Sequence, residues 1–264
     1  MATPEIRFDD GAAYEDFMGA WSRLAGDAFL EWLKPASGGR WVDVGCGNGA
    51  FTEMIVARCA PAGVDGIDPS EEQIAYARER LAAAASTVRL TTGDAMALPY
   101  ADGAFDAAVM ALVIFFVPDP AKGIAEMARV VKPGGSVSTY AWDIMGGGFP
   151  YAALQQEMAG IGLTPLYPPS VEAARIEQLR ALWTAAGLVD LEVREIEVQR
   201  THADFESYWR TACKGPRIAP RLATLPDADR ELLKDRLRAR FVPSADGTIV
   251  GIARANAIKG RRRP

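Results

Sequence analysis

Val42-Asp43-Val44-Gly45-Cys46-Gly47-Asn48-Gly49 is an apolar strand end that runs into three alternate glycines. Glycine at 45 permits a tight turn out of a strand, and glycine at 47 lets a ligand approach bare backbone. A helical stretch over 51–58 follows, so the loop ends on a helix N-terminus with unpaired N–H groups. Taken alone the loop is ambiguous, because residues 45–50 also satisfy the loose dinucleotide fingerprint G-x-G-x-x-A.

Outward from the loop, strand and helix patterns alternate. Strands are expected at 40–44, 64–68, 88–92, 105–112, 136–142, 189–199 and 248–258. Ser70 reads as the N-cap of a helix reaching about residue 85, with Glu71 and Glu72 in its first turn, where the macrodipole favours acids. A helix over 120–130 stops at Lys132-Pro133-Gly134-Gly135, and one over 171–186 ends on Gly187 as a left-handed cap. Upstream, Tyr14, Phe17, Met18, Trp21 and Phe29 recur at helical spacing, ending before Lys34-Pro35. Strongly apolar strands alternating with helices indicate an α/β fold, a mostly parallel sheet covered on both faces. Two long insertions, 144–170 and 203–246, leave the sheet late in the chain and suit a cap.

Composition limits the partners. A formal charge of −5 argues against a nucleic acid held by phosphate contacts. The basic run Lys259, Arg261, Arg262 and Arg263 reads as a frayed, solvated tail. Cys46, Cys59 and Cys213 are odd in number and form no CxxC pair. No disulfide framework or metal site is expected, and a reducing, cytoplasmic setting is. The acidic start is no signal peptide. The longest apolar run, 107–117, is far short of the roughly 20 residues of a membrane span.

Two acids sharpen the loop. Asp68 ends the second strand, where a carboxylate can accept both ribose hydroxyls; Asp94 follows the third, where one could accept an adenine amino group. Either alone could be a turn residue.

Residues 42–49, Gly66-Ile67-Asp68-Pro69-Ser70, Gly93-Asp94-Ala95, Phe105-Asp106 and Val131-Lys132-Pro133-Gly134-Gly135 together resemble the ordered motifs of class I S-adenosylmethionine-dependent methyltransferases. Within that class they are similar to the small-molecule branch that includes the ubiquinone and menaquinone biosynthesis enzymes. The resemblance covers roughly residues 14–142. It implies a Rossmann-like, seven-stranded sheet of order 3-2-1-4-5-7-6 whose last strand is antiparallel. The whole chain, 1–264, would be one methyltransferase domain with an N-terminal helical lid over 1–37. S-adenosylmethionine would be the cofactor and S-adenosylhomocysteine the product. The partner would be a small-molecule acceptor, and the protein a monomer or homodimer.

Carried over position by position, Gly45 and Gly47 would line the methionine part of the cofactor, and Asp68 would hold the ribose. Asp94 and the Ala95 N–H would read the adenine, while Ala111 and Leu112 would sit near the sulfonium. Asp43, Cys46, Pro69, Gln73 and Met96 complete the expected cofactor shell. Tyr14 and Trp21 would close over it from the N-terminal helix, where an aromatic ring near a sulfonium gains cation–π attraction. Trp142, Phe149, Tyr208 and Trp209 are the expected acceptor walls.

Methyl transfer to a good nucleophile rests on alignment and desolvation, and a base is needed only for a protonated acceptor. Phe115 stands where the resemblance leads one to expect histidine. His202, the only histidine, and Asp143 are the base candidates, against capping, surface or turn roles. Two other readings stay open here. A nicotinamide-dependent oxidoreductase would use Asp68 on its ribose, although no Tyr-x-x-x-Lys pair occurs. A non-catalytic cofactor-binding protein would keep the loop and both acids without turnover.

Overall fold

Strand β1 (Arg40–Val44) buries every residue but its first, as a central strand covered on both faces must. The computed structural model describes residues 15–264 apart from Arg217. Around β1 stand β2 (Gly63–Asp68), β3 (Val88–Thr92), β4 (Phe105–Ala111), β5 (Val131–Trp142), β6 (Val189–His202) and β7 (Ile249–Arg261), in the order β3-β2-β1-β4-β5-β7-β6. The first five strands run parallel, and β7 is antiparallel to both β5 and β6. This is the expected topology.

The helices are α1 (Ala20–Leu33), preceded by a π-helical turn at Glu15–Gly19, then α2 (Ala50–Cys59), α3 (Glu71–Arg80), α4 (Pro120–Val130), α5 (Ala152–Gly160), α6 (Ile176–Ala185), α7 (Phe205–Ala212), α8 (Ala219–Ala223) and α9 (Asp227–Arg238). Their starts follow local chemistry. The Ser70 hydroxyl accepts the Gln73 N–H at 3.2 Å, and Asp119 accepts the Lys122 N–H at 3.1 Å with Pro120 in the first turn. Asp204 and Ser207 form a capping box on α7. Gly187 closes α6 at φ 73°, the left-handed stop expected of it.

Three expectations are corrected. The helix over 171–186 is broken: a short 3-10 turn (Val171–Ala174) precedes α6, and Arg175 between them is extended. The Ala174 carbonyl is taken by the Asn256 side-chain amide at 3.0 Å, which removes it from a helical ladder. Strand β5 begins at Val131, paired with Phe105, so the Lys132–Gly135 segment is an irregularity inside a strand. The basic run at 259–263 is not a frayed tail. β7 extends through Arg261, and the Arg262 guanidinium donates to the Arg129 and Val131 carbonyls at 2.7 and 2.6 Å.

The pairing of β6 with β7 outlasts that of β5. Trp142 opposite Ala255 is the last β5 pair, whereas β6 and β7 continue to His202 opposite Ile249. Six more residues at roughly 3.3 Å each carry this ribbon about 20 Å past the end of β5. The two insertions meet above it. Glu157 of α5 pairs with Arg236 of α9 at 3.0 Å and with Arg240 at 2.8 Å, and Arg221 of α8 donates to the Thr164 carbonyl at 2.8 Å.

Candidate functional site

The glycine loop turns at the carboxyl end of β1, where ligands bind in open α/β sheets. Gly45 has φ +76°, and a Cβ there would lie 2.5 Å from the Val113 side chain, so the position is closed to other residues twice over. Gly47, at φ +51°, differs: a Cβ there would meet nothing within 4 Å. The loop is pressed against the β4 end on one side and open on the other. That β4 end is strained, since Leu112 is buried at φ 61° with its N–H donating to the Tyr140 carbonyl at 2.8 Å. Ala111 beside it is half-buried.

Asp68 knits the first two strand ends together. Its Oδ2 accepts the Gly47 N–H at 2.9 Å and its Oδ1 the Ser70 N–H at 3.0 Å. Burial pushes its carboxyl up, and these two N–H bonds pull it back. Pro69 is exposed beside it, and Gln73 is buried in the first turn of α3. Asp94 is exposed and accepts the Met96 N–H at 2.8 Å, a turn role that leaves a second oxygen available. Ala95 and Met96 are half-buried against the core.

Beneath the loop, Asp43 is fully buried. The Thr52 hydroxyl donates to its Oδ2 at 2.6 Å, and its Oδ1 has no partner among the described residues. Burial pushes the carboxyl up to about 7, the Thr52 bond opposing and nearby Asp68 reinforcing it. The adjacent Cys46 thiol is buried and pushed well up for the same reason, with Asp43 and Asp68 adding to it. A reactive thiolate is therefore not what this loop holds.

The N-terminal segment reaches the loop through Arg80. Glu15 binds Arg80 at 3.0 Å and also pairs with Arg23, while Arg80 donates to the Asn48 carbonyl at 3.3 Å. Tyr14 lies outside the described residues. Trp21 is fully buried against Gly251 and His202.

The acceptor candidates divide. Tyr208 is buried in an aromatic cluster with Tyr151 at 5.8 Å, His202 at 5.2 Å and Phe241 at 4.7 Å. Phe149 joins it edge-on to Tyr151 at 6.0 Å. Trp209 is half-buried on the same helix, and Trp142 is buried at the end of β5. Phe115, in the place expected of histidine, is buried against Phe116. Tyr151 went unnoticed in the sequence: it stacks on Phe17 at 4.5 Å and donates to the Phe17 carbonyl at 2.9 Å. Nothing in its Gly- and Pro-rich surroundings marks it.

The base candidates separate too. Asp143 has both oxygens engaged: Oδ2 takes the Arg254 guanidinium at 2.6 and 3.2 Å, and Oδ1 takes the Gly146 N–H at 3.0 Å. That is the turn role, and it pins β5 to β7. His202, expected past the sixth strand with a capping or surface role as one reading, is instead the buried last residue of β6. Burial, with Arg200 adding, pushes its imidazole down to about 4, so it is neutral at pH 7. A cavity of about 330 Å³ lined by Arg40, Asp65, Ser86 and Arg89 sits at the opposite edge, where β1 and β2 begin, away from all of these groups.

Comparison with known proteins bears on the same segment. Residues 42–139 match the model of a methyltransferase domain family. The ubiquinone/menaquinone biosynthesis C-methyltransferase UbiE of Roseobacter denitrificans is 36% identical over 115 residues, 43% of this chain and 46% of that one. The chain spans less than half the length of such curated relatives that it matches, 46% and 39% for two of them. Among solved structures, phosphoethanolamine N-methyltransferase 2 of Haemonchus contortus, in complex with phosphomonomethylethanolamine and S-adenosylhomocysteine, superposes with a TM-score of 0.61 at 20% identity, over 98% of this chain and 59% of that one. The [4+2]-cyclase SpnF superposes at 0.55 with 23% identity, over 93% of this chain and 82% of that one. These likenesses establish the fold. Residues 42–139, the stretch that matches the methyltransferase domain family, lie within a seven-stranded Rossmann-like sheet of order β3-β2-β1-β4-β5-β7-β6.

Proposed function

We propose that the chain is an S-adenosylmethionine-dependent methyltransferase acting on a small molecule and releasing S-adenosylhomocysteine. The observation that carries this is the buried Asp43 carboxylate with an unpartnered oxygen, under a loop that is open at Gly47. A fully buried carboxylate suits a cationic amino group and repels a pyrophosphate. S-adenosylmethionine brings such a group, whereas a nicotinamide dinucleotide would place its pyrophosphate at the same glycine loop. The residues present therefore fit the one cofactor and disfavour the other.

When bound, that cofactor supplies an electrophilic methyl group on sulfonium. The chain's own part is to hold and dry the reactants. Gly45, Cys46 and Gly47 would give bare backbone to the methionine portion, and Asp43 would supply the carboxylate for its ammonium. Asp68 keeps acceptor capacity for ribose hydroxyls beyond its two backbone bonds. Pro69, Gln73, Asp94, Ala95 and Met96 frame the adenosine, and Ala111 and Leu112 stand at the reacting end. The latched segment from Glu15 covers the site and excludes water. With Asp143 engaged, no carboxylate at the β5 end serves as base.

Net charge of −5 supports a small acceptor over a nucleic acid, and relatives named for quinone methylation support the same. Among the described residues no helix is long and apolar enough to cross a membrane. We take the protein as cytoplasmic, a monomer or homodimer, with 1–264 acting as one unit. The SpnF likeness favours one other reading, a cofactor-binding protein of this fold with a different activity. Calorimetry tests both. S-adenosylhomocysteine should bind and NAD should not; tighter binding of NAD overturns the proposal. Conversion of S-adenosylmethionine to S-adenosylhomocysteine that depends on an added acceptor separates methyl transfer from binding alone.

A further inference from the structure

The stretch between β3 and β4, residues 93–104, has no helix or strand of its own, yet it carries Asp94, Ala95 and Met96. A loop without ladder bonds keeps one shape only where its backbone groups find partners elsewhere. At its start the Gly93 N–H donates to the Asp68 carbonyl at 3.0 Å, and the Asp94 carboxylate takes the Met96 N–H. From Leu98 onward its polar partners come from the C-terminal end of α4.

Two side chains there grip the loop. Glu126 Oε2 accepts the Leu98 N–H at 2.8 Å. The Arg129 guanidinium donates to the Leu98 carbonyl at 3.0 Å, the Tyr100 carbonyl at 2.8 Å and the Asp102 carboxylate at 2.8 Å. Both backbone polar groups of Leu98, two residues after Met96, are therefore taken by this pair. The pair is also locked together, Arg129 Nε and Nη2 reaching the two Glu126 oxygens at 2.7 and 2.8 Å. A planar guanidinium can make these bonds at once, and an ammonium cannot. They hold the Glu126 carboxyl below the usual carboxylate range. The Arg129 carbonyl accepts the Gly103 N–H at 3.0 Å and so fixes the far end of the loop as well.

Apolar anchors alone would keep the loop on the sheet: Leu98 is buried in the core, and Tyr100 stands edge-on to Phe105 at 4.9 Å. What the ionic grip adds is a defined backbone position just beyond Asp94 and Ala95. Reading a purine base needs that definition. Adenine presents an amino donor beside a ring-nitrogen acceptor, whereas hypoxanthine presents a carbonyl acceptor beside a ring N–H donor. A carboxylate acceptor and a backbone N–H donor fixed side by side match the first and mismatch the second. A displaced loop would let water bridge to either base and lose the distinction.

We propose that Glu126 and Arg129 are positioning residues for base recognition, fixing the loop so that Asp94 and the Ala95 N–H tell adenine from other purines. The proposal rests on the methyltransferase reading above and extends it from the residues that would meet the base to the pair that sets their place. Both side chains act through the loop.

The probes are S-adenosylhomocysteine and S-inosylhomocysteine, which differ only in the base, titrated by calorimetry at pH 7. The wild type should bind the first at least about tenfold more tightly. In Arg129→Met that preference should fall to about twofold or less. Glu126→Gln, which keeps an oxygen for the Leu98 N–H, should retain part of it. Lys132→Met removes an ion pair to Asp106 that lies outside the loop, and should leave the preference at its wild-type value. A general loosening of the fold weakens both probes alike, because they share the ribose and homocysteine parts, and leaves their ratio unchanged. Equal binding of the two probes by the wild type, a preference that survives in Arg129→Met, or one lost equally in Lys132→Met would each overturn the proposal. Should Arg129→Met fail to fold, Arg129→Lys, which keeps the charge without the fork, carries the same expected loss. Binding of both probes without a preference overturns this inference alone; binding of neither overturns the methyltransferase reading.

Discussion

The glycine-loop half of the molecule and its ribbon-and-cap half satisfy their polar groups over different distances. In the loop half the partners are close along the chain or joined by adjacent parallel strands. Asp68 takes N–H groups from Ser70 and Gly47, Asp94 takes Met96, and Ser70 takes Gln73. In the other half they come from far away: Asp143 holds Arg254 across 111 residues, Tyr151 holds Phe17 across 134, and Asn256 holds Ala174 across 82. Each half also keeps a buried polar atom with no partner among the described residues, Asp43 Oδ1 in one and His202 Nε2 in the other. The first atom is placed by local geometry; the second is placed by the docking of elements.

The sharpest way to break this contrast is at the two glycines. Gly45→Ala combines a left-handed backbone with a Cβ 2.5 Å from Val113, and should cost about 2–5 kcal/mol of stability. Gly47→Ala has the strain without the clash, so about 1–2 kcal/mol is expected, with S-adenosylhomocysteine affinity falling further than stability does. Denaturant midpoints and calorimetry on both variants check this. Equal stability losses would mean that the loop is not pressed against the β4 end.

Titration distinguishes the halves by sign. Asp43 has a folded value of about 7, above its unfolded one, so its contribution to stability is full at low pH and is lost as pH rises through 7. His202 has a folded value of about 4, below its unfolded one, so its contribution is present above about 6.5 and is lost as pH falls through 4. The two slopes oppose one another between pH 4 and 6.5, worth up to about 4 kcal/mol for Asp43 and about 3 kcal/mol for His202 at their extremes. Removing Asp43 as Asp43→Asn should leave the cofactor-free protein more stable with rising pH over that window. His202→Leu should leave it less stable with rising pH. Melting curves across the window that respond alike in both variants would contradict the opposed burial of these groups.

Next in size is Asp68→Ala. Its carboxylate would lose charge-assisted bonds worth roughly 1.5–3 kcal/mol each. S-adenosylhomocysteine affinity should fall at least about tenfold while the sheet survives, as read by calorimetry and far-UV circular dichroism. An unchanged affinity would move the ribose site elsewhere.

The smallest effect belongs to the cap. Glu157 links α5 to Arg236 and Arg240, both of them half-exposed, so Glu157→Gln should cost only about 1 kcal/mol. Faster proteolysis within 203–246, with S-adenosylhomocysteine affinity unchanged, is the expected result. A loss of cofactor affinity would show that the cap and the loop are one cooperative unit.

Much of this protein was legible before folding. The alternation of apolar strands and helices gave the layered sheet, because burial on both faces demands near-continuous apolar runs. The glycines and two strand-end acids marked the candidate cofactor site, because backbone freedom and local carboxylate turns are properties of short segments. What escaped were pairings across the chain. Asp143 looked free until Arg254 of the last strand was beside it. His202 looked superficial, and became buried only because the ribbon carries it past β5 and under Trp21. The basic run looked frayed until Arg262 met the Arg129 and Val131 carbonyls.

The sequence by itself determined the sheet, its helices and the glycine loop, since these follow from periodicity, φ preferences and caps within a few residues. The tertiary structure alone decided which buried groups pair with each other and which have no partner among the described residues. Pairing across more than a hundred residues depends on how strands register and where the insertions dock, and no local pattern encodes that.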